Sequence, residues 1–223
     1  MLPVSILFED NELLLINKPF GLPVQGGAGI SHSLDQELSA SLGYKIHLVH
    51  RLDKDTSGLM IVAKNAQSAA KWTKLISSRG VKKEYQAICI GLPTVSKNSG
   101  SGTLTTSVIA HGREQEARTD FTLISSGKVG DIQLSHLSLK LGTGRMHQIR
   151  IQLASSGAPI AADDQHGNFK LNKNLRKLGI KKLCLAAVKL TLPLSDGEKV
   201  FEVPLPDHMK EALLLMQGDG GAG

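Results

Sequence analysis

Residues 50–59 carry the sequence His50-Arg51-Leu52-Asp53-Lys54-Asp55-Thr56-Ser57-Gly58-Leu59, and the apolar residues 60–63 follow. A Thr-Ser-Gly turn ahead of an apolar run indicates a loop that leads into a buried strand. A carboxylate at the mouth of a strand, with cations beside it, suits nucleophilic or acid–base chemistry on an anionic substrate. The alternative is a polar loop whose side chains only cap their own backbone. The residue chemistry alone leaves both interpretations open.

Composition excludes several classes of protein. The chain has 223 residues, 41% of them hydrophobic, so it can bury a sizeable core and is not intrinsically disordered. A formal charge of +6 favours an anionic partner, nucleic acid first. Cys89 and Cys184 are the two cysteines, which excludes a disulfide scaffold and a cysteine-based zinc site. We expect two reduced core thiols.

The sequence shows neither a secretory signal nor a membrane-spanning run, which favours a cytoplasmic protein. No charged start precedes an apolar signal core. The longest apolar runs fall well short of the ~18 residues that a membrane-spanning helix requires. We therefore expect a soluble, cytoplasmic monomer. A single catalytic domain is expected over residues 1–217, followed by a disordered tail at 218–223.

Local patterns predict strands interrupted by a few helices without strict alternation, which favours an α+β protein with a mixed, largely antiparallel sheet. Ser33 and Gln36 fit a capping box at a helix start. Asn65 is a predicted N-cap, and Gly80 is expected to end that helix. Helical spacing places Trp72 on the apolar face of this helix, where we expect it to be a core residue. Residues 113–116, which are mostly charged, are predicted to form a solvated loop.

Other elements follow from periodicity and turn residues. Helices are expected near residues 33–42, 65–79, 145–156, 172–178 and 206–216. Strands are expected near residues 4–8, 13–16, 59–63, 81–90, 183–190 and 199–203, with three or four more between 103 and 142.

Four stretches, taken in order, resemble the motifs of RluA-type pseudouridine synthases. Residues 11–24 resemble the entry hairpin of that family, and residues 50–59 resemble its central motif. Lys83-Glu84-Tyr85 resembles a Lys-x-Tyr motif. Residues 144–150, continued by 157–160, resemble a Gly-Arg-x-His-Gln-Ile-Arg motif. Together the resemblance covers roughly residues 4 to 206, nearly the whole chain.

The resemblance implies the pseudouridine synthase fold, a bent sheet with flanking helices and a central cleft. It also implies isomerisation of uridine in structured RNA, in which the N1–C1′ bond breaks and the base is rejoined through C5. That reaction is redox-neutral and releases nothing, so neither a cofactor nor a metal is implied. The sequence accordingly contains no P-loop, no Gly-x-Gly-x-x-Gly after a strand and no clustered metal ligands.

Resemblance also assigns the site residues. Asp53 is the implied catalytic carboxylate, Arg150 the cation that keeps it ionised, and Tyr85 the side chain that packs on the target uracil. An arginine fork can hold a carboxylate by two hydrogen bonds. Without the resemblance, Arg150 would be interpreted as an exposed helix residue and Tyr85 as part of the core.

The implied substrate-binding residues surround these three. Arg51 is implied to enter the RNA stem where the target base leaves it. Lys83 shares a strand face with Tyr85, and Arg145, His147 and Gln148 complete the set. We interpret His147 and Gln148 as orienting and packing residues rather than acids or bases. One departure is Leu185-Ala186-Ala187, where the family usually has Leu-His-Ala.

A target base must be flipped out of its stack before it can react, so the RNA surface has to supply basic groups. A basic cluster, defined here as Lys170, Lys173, Arg176, Lys177, Lys181 and Lys182, is a candidate for phosphate contacts. The alternative, which has equal weight, is that these side chains form an ordinary solvated surface without a ligand. No S4-like RNA-binding domain precedes the first motif, which tilts the expected substrate from a ribosomal RNA site towards a transfer RNA or another short stem-loop.

Two other functions remain open at this stage. One is a non-catalytic RNA-binding or RNA-folding protein on the same fold. The other is a hydrolytic glycosidase that uses Asp53 and Asp55 as a pair. Such enzymes need carboxyls ~5–9 Å apart across a sugar, and two neighbouring positions in one loop make that geometry hard to achieve.

Overall fold

A computed structural model describes residues 4–27, 29–95, 100–110 and 113–218. The chain forms five helices and ten strands in these residues. Strands are β1 Ser5–Glu9, β2 Leu13–Lys18, β3 His47–Leu48, β4 Ser57–Ala63, β5 Lys82–Ile90, β6 Ser101–Ala110, β7 Arg113–Val129, β8 Ile132–Leu141, β9 Leu185–Leu194 and β10 Gly197–Glu202. Helices are α1 Leu34–Leu42, α2 Ala66–Ser77, α3 Gln148–Ser155, α4 Phe169–Lys177 and α5 Asp207–Gly218.

The chain divides into two compact units. The first contains residues 1–82 and 187–204. Its sheet has the strand order β1-β2-β4-β9, with β10 beside β9 and β3 beside β4. β2 is antiparallel to β1 and to β4, and β10 is antiparallel to β9. The apolar run predicted after residue 58 is β4, which is buried at every position.

α2 covers this sheet through an apolar face. The Asn65 side chain accepts a hydrogen bond from the Ser68 N–H at 2.8 Å, which confirms the predicted N-cap. Trp72 is 1% exposed and joins a core with Leu13, Leu59 and Ile61. Burial of one such aromatic side chain contributes about 3–5 kcal/mol. Trp72 is therefore a core residue, as the helical spacing predicted.

Gly58 allows β4 to approach β9 closely. It has a φ of +113°, and a Cβ atom there would lie 2.1 Å from the Ala187 carbonyl oxygen. No residue with a side chain fits without moving the backbone.

The second unit contains residues 83–186 and 205–223. Its strand order is β5-β8-β7-β6, and consecutive strands are antiparallel. Gln152 of α3 ties this helix to the sheet, because its amide donates to the Ala117 carbonyl at 2.8 Å and accepts from the Thr119 hydroxyl at 2.6 Å. Buried Cys89 and Cys184 are free thiols, as predicted, and burial raises the pKa of Cys184 to about 12.

Three local expectations are wrong. The Ser33 hydroxyl donates to the Asp35 carboxylate, and the predicted capping box with Gln36 is not formed. The left-handed residue after α2 is Arg79, at φ +64°, rather than Gly80. Residues 113–116 begin strand β7 and are not a loop, because the β6–β7 ladder continues in register to the pair Ala110–Arg113.

The α+β class is as predicted. No helix in the described ranges is long and apolar enough to cross a membrane. The predicted disordered tail at 218–223 falls, beyond Gly218, outside the described residues.

Candidate active site

Asp53 lies in a tight turn that precedes β4. The Thr56 N–H donates to the Asp53 carbonyl at 3.1 Å, which closes the turn. Asp53 is half-buried, whereas Asp55, two residues on, is exposed. His50 fixes the start of the loop, since its Nε2 accepts the Ile61 N–H at 3.0 Å. The two carboxylates of this loop therefore have different surroundings, and only Asp53 is partly shielded from water.

Lys18 lies beneath this turn and is fully buried at the end of β2. Its ammonium group donates to three carbonyl oxygens, those of Pro19 at 3.0 Å, Leu22 at 2.9 Å and Lys54 at 2.9 Å. Burial lowers the pKa of Lys18 to about 8, against the opposing attraction of the Asp55 and Asp53 carboxylates. One buried cation thus joins the entry loop to the peptide that follows Asp53.

Two hydroxyls beside the turn are buried without a protein partner. Thr56 and Ser57 are 2% and 5% exposed, and neither hydroxyl oxygen has a hydrogen bond within the described part of the chain. Buried polar groups are nearly always paired, so orphaned ones indicate a place where water or a ligand completes the bonding. Thr56 and Ser57 follow Asp53 by three and four residues, where the turn leads into β4.

In the second unit, Lys83 and Tyr85 lie on β5, two residues apart and both buried. They share one face of the strand, as predicted. Burial lowers the pKa of the Lys83 ammonium group. Its Nζ lies 3.4 Å from the position that a Cβ on Gly144 would occupy. The structure therefore brings the Lys-x-Tyr stretch beside the start of residues 144–150.

Gln148, the first residue of α3, holds the loop before it. Its amide oxygen accepts from the Thr143 hydroxyl at 2.7 Å and the Arg145 N–H at 3.2 Å. Its amide nitrogen donates to the Arg118 carbonyl and the Thr119 hydroxyl, each at 3.1 Å. These four bonds use the full capacity of an amide, so Gln148 positions the loop that carries Arg145.

His147 precedes α3 in a left-handed conformation, at φ +51°. Its Nδ1 lies 2.9 Å from Nε2 of His166, and the two rings meet edge to face with centroids 5.1 Å apart. One ring must donate and the other accept, so at least one of the two imidazoles is neutral. His147 is thereby tied to the turn that contains His166.

Arg150 is buried, not exposed. Its Nε and Nη2 donate to the two carboxylate oxygens of Asp163, both at 2.8 Å, and Nη2 also donates to the Gln165 side chain at 3.2 Å. Burial alone would raise the pKa of Asp163, but hydrogen bonds from Arg150 and from the His166 and Gln165 N–H groups outweigh it and lower that pKa.

The remaining predicted contacts lie at the surface. Arg51 is exposed and Arg145 is half-buried. Every member of the basic cluster is exposed. Arg176 is paired with Asp164, whereas Lys170, Lys173, Lys177 and Lys181 have no ion pair with any residue that the structure describes. Cations at the end of α4 also suit the helix dipole, so position alone leaves their role open.

Sequence reasoning missed two charged residues of this site. Lys18 was included only as part of a longer motif, because no feature of the local sequence indicates that a lysine is buried. Asp163 lies 13 residues after Arg150 and follows the last quoted motif. Its one local signal was the unusual run Asp163-Asp164 directly after an apolar stretch.

Comparison with known proteins gives the family. A family model described as RNA pseudouridylate synthase matches residues 12–155, which include Asp53, Tyr85 and Arg150. The chain belongs to the RNA pseudouridylate synthase family. It is 30% identical to ribosomal large subunit pseudouridine synthase D of Escherichia coli, over 98% of this chain and 72% of that protein. It is 29% identical to ribosomal large subunit pseudouridine synthase C of Haemophilus ducreyi, over 96% and 69%.

Solved structures agree with the family and with the predicted fold. The human RNA pseudouridylate synthase domain containing 4 superposes with a TM-score of 0.76 at 25% identity, over 96% of this chain and 93% of that one. The resemblance to the RluA type is confirmed. The protein is thus an RNA pseudouridine synthase, an isomerase with RNA as its substrate.

Proposed function

We propose that Asp53 is the catalytic carboxylate of this pseudouridine synthase and that the substrate is a stem-loop of large-subunit ribosomal RNA. The relatives named above are described as ribosomal large subunit enzymes, which supports ribosomal over transfer RNA. A ribosomal RNA substrate is consistent with the expected cytoplasmic location. The reaction breaks N1–C1′, turns the uracil within the site and forms C5–C1′, while C5 loses one proton and N1 gains one.

The observation that carries the assignment of Asp53 is the locked turn around it. Asp53 is half-buried, the Lys18 ammonium group donates to the carbonyl of Lys54, the next residue, and two buried hydroxyls without a partner among the described residues follow where the turn leads into β4. A carboxylate held in one place can meet a flipped nucleotide without reorganisation. Asp55 lacks this shielding, which argues against an Asp53–Asp55 glycosidase pair.

Arg150 and Tyr85 complete the catalytic set in this proposal. Asp163 occupies the Nε–Nη2 edge of the Arg150 guanidinium, and the family resemblance assigns Arg150 as the cation that keeps the Asp53 carboxylate ionised. A nearby cation opposes the rise in pKa that shielding from water causes in a carboxylate. Tyr85 is 8% exposed on β5, where a flat, rigid ring is suited to pack on uracil.

Cationic and planar groups would hold the RNA. Exposed Arg51 is assigned to the stem at the point where the base leaves. Lys83 and Arg145 are assigned to the phosphates of the target nucleotide. Lys83 carries a buried ammonium group that has no ion pair among the described residues, and such a group gains most from an anion. His147 is assigned to the edge of this surface. The basic cluster is assigned to phosphates further along the stem.

The experiment is a map of pseudouridines in total RNA from cells with and without the gene. We expect a small number of large-subunit ribosomal RNA sites, in loops, to be lost in the deletion strain. Complementation with the wild type or with Asp55→Asn should restore them, and complementation with Asp53→Asn should not. Unchanged pseudouridines in every RNA would contradict the proposal, and a loss confined to transfer RNA would overturn its substrate.

A further inference from the structure

The turn at residues 162–167 is built around one carboxylate. Asp163 Oδ1 accepts from Arg150 Nη2 at 2.8 Å and from the Gln165 and His166 N–H groups at 2.9 and 3.0 Å. Oδ2 accepts from Arg150 Nε at 2.8 Å. The Asp163 side chain is 1% exposed. A carboxylate so fully engaged and buried is not placed to exchange protons with a substrate.

The backbone of the turn is held from α4. Ala162 has a φ of +58°, a conformation that residues with a Cβ rarely adopt. Buried Asn172 accepts the Ala162 N–H at 3.0 Å and donates to the Asp163 carbonyl at 2.9 Å. At Gly167, a Cβ would lie 2.1 Å from the same carbonyl. A strained conformation that its surroundings enforce this strongly is typical of functional sites.

We propose that Asp163 is a positioning residue for catalysis, one that acts by fixing the direction of the Arg150 guanidinium. The inference rests on the proposed role of Arg150 as the cation that keeps Asp53 ionised. Arginine has four side-chain torsions, and a group that is only slightly misplaced loses much of its catalytic effect. The two-point contact with Asp163 removes this freedom and leaves the opposite edge of the guanidinium with one orientation.

A structural role alone is the competing explanation, because a broken buried ion pair destabilises a fold whether or not it serves catalysis. The two explanations differ in what a double-mutant cycle shows. If Asp163 acts through Arg150, the loss of one partner removes the benefit of the other. If Asp163 only stabilises the fold, the rate per folded molecule is unaffected.

The test measures single-turnover rates on saturating substrate RNA, together with RNA affinity and thermal unfolding. The variants are Asp163→Asn, Arg150→Lys and the double variant, and the matched control is Asp164→Asn, an exposed neighbour. Rates are divided by the folded fraction. We expect Asp163→Asn to slow the chemical step at least about tenfold with RNA affinity within about twofold, and Asp164→Asn to keep the wild-type rate.

The double variant should be at most about threefold slower than the slower of the two single variants. The inference is overturned if the rate losses of the two single variants multiply in the double variant, or if Asp163→Asn is folded and keeps the wild-type rate. If Asp163→Asn does not fold, Asp163→Glu, which keeps the charge but shifts the carboxylate by one methylene, is measured against the same criteria. A wild-type rate in Arg150→Lys and Arg150→Ala would instead show that the proposed role of Arg150 is wrong.

Discussion

Lys18 shows how one buried side chain can hold two loops together. A protonated ammonium group has three N–H donors, and Lys18 has three carbonyl acceptors around it. A neutral amine has two donors and no charge. Deprotonation therefore leaves one buried carbonyl short of a partner and weakens the tie between the entry loop and the Asp53 turn.

This leads to a pH prediction with opposite signs for activity and stability. Because the pKa of Lys18 is about 8, the rate at saturating RNA should fall as the pH rises through about 8. The native state binds fewer protons than the unfolded state between this pKa and the ordinary lysine pKa of 10.5. The contribution of Lys18 to the free energy of unfolding therefore rises with pH across that window.

The measurement compares the wild type with Lys18→Met from pH 6.5 to about 9.5. We expect the variant to be slower throughout and to lack the alkaline limb, while the wild type gains stability relative to it above pH 8. A wild-type rate that is constant up to the highest pH, or an alkaline limb that persists in Lys18→Met, would show that Lys18 does not control the loop.

At the residue scale, the sequence was informative where a side chain belongs to a motif and uninformative where its role depends on burial. Asp53, Tyr85 and Arg150 were found because the motifs that contain them resemble a family. Lys18 and Asp163 owe their roles to contacts with residues 36 and 13 positions away. Such contacts come from the tertiary fold, and one sequence without an alignment carries no record of them.

Among the elements, α4 has two faces of different character. Its side-chain N-cap, Asn168, accepts from the Leu171 N–H at 3.1 Å, and its inner face buries Asn172 and Leu175. Its outer face carries three lysines of the basic cluster, Lys170, Lys173 and Lys177. The same helix therefore supports the Asp163 turn from its inner side and presents cations to solvent from its outer side.

Salt dependence of RNA binding tests the basic cluster. Replacing Lys177, Lys181 and Lys182 together by Gln should reduce the slope of log affinity against log salt by about 0.7–0.9 for each phosphate contact that is lost. The chemical step on saturating RNA should change little, because these side chains are assigned to phosphates distant from the uracil. Binding of a stem-loop RNA is measured between low and moderate salt.

A matched control removes the same charge elsewhere. Lys71, Lys82 and Lys210 are exposed and each is paired with a carboxylate, that of Glu12, Glu198 or Asp207. Their joint replacement by Gln should leave the slope unchanged. An equal effect in both triple variants would show that the cluster acts only through net charge. An unchanged slope in the cluster variant would mean that the cluster is a solvated face.

Element prediction succeeded where the signal is local. The N-cap at Asn65 and the core position of Trp72 follow from spacing within one helix. Residues 113–116 were predicted to form a loop because they are mostly charged and follow a glycine. Their pairing with β6 instead makes them the start of strand β7. Backbone pairing between strands is a non-local property, and composition does not reveal where it stops.

For the whole molecule, three independent properties agree on one kind of chemistry. The chain is basic, with a charge of +6, as an RNA-binding protein should be. The family model and the named relatives give the reaction. The structure places one shielded carboxylate and one exposed carboxylate in the same loop. The central claim is therefore that a single carboxylate, that of Asp53, carries out the isomerisation.

The most direct test is pseudouridine formation by the purified protein on an unmodified large-subunit ribosomal RNA fragment, with Asp53→Asn and Asp55→Asn assayed in parallel. The wild type should form pseudouridine without releasing free uracil. Asp53→Asn should lose at least about a thousandfold in rate with RNA affinity within about twofold, because its carboxylate acts on bound nucleotide. Asp55→Asn should keep most of the activity. An active Asp53→Asn, or an Asp55→Asn as inactive as Asp53→Asn, would contradict the single-carboxylate account.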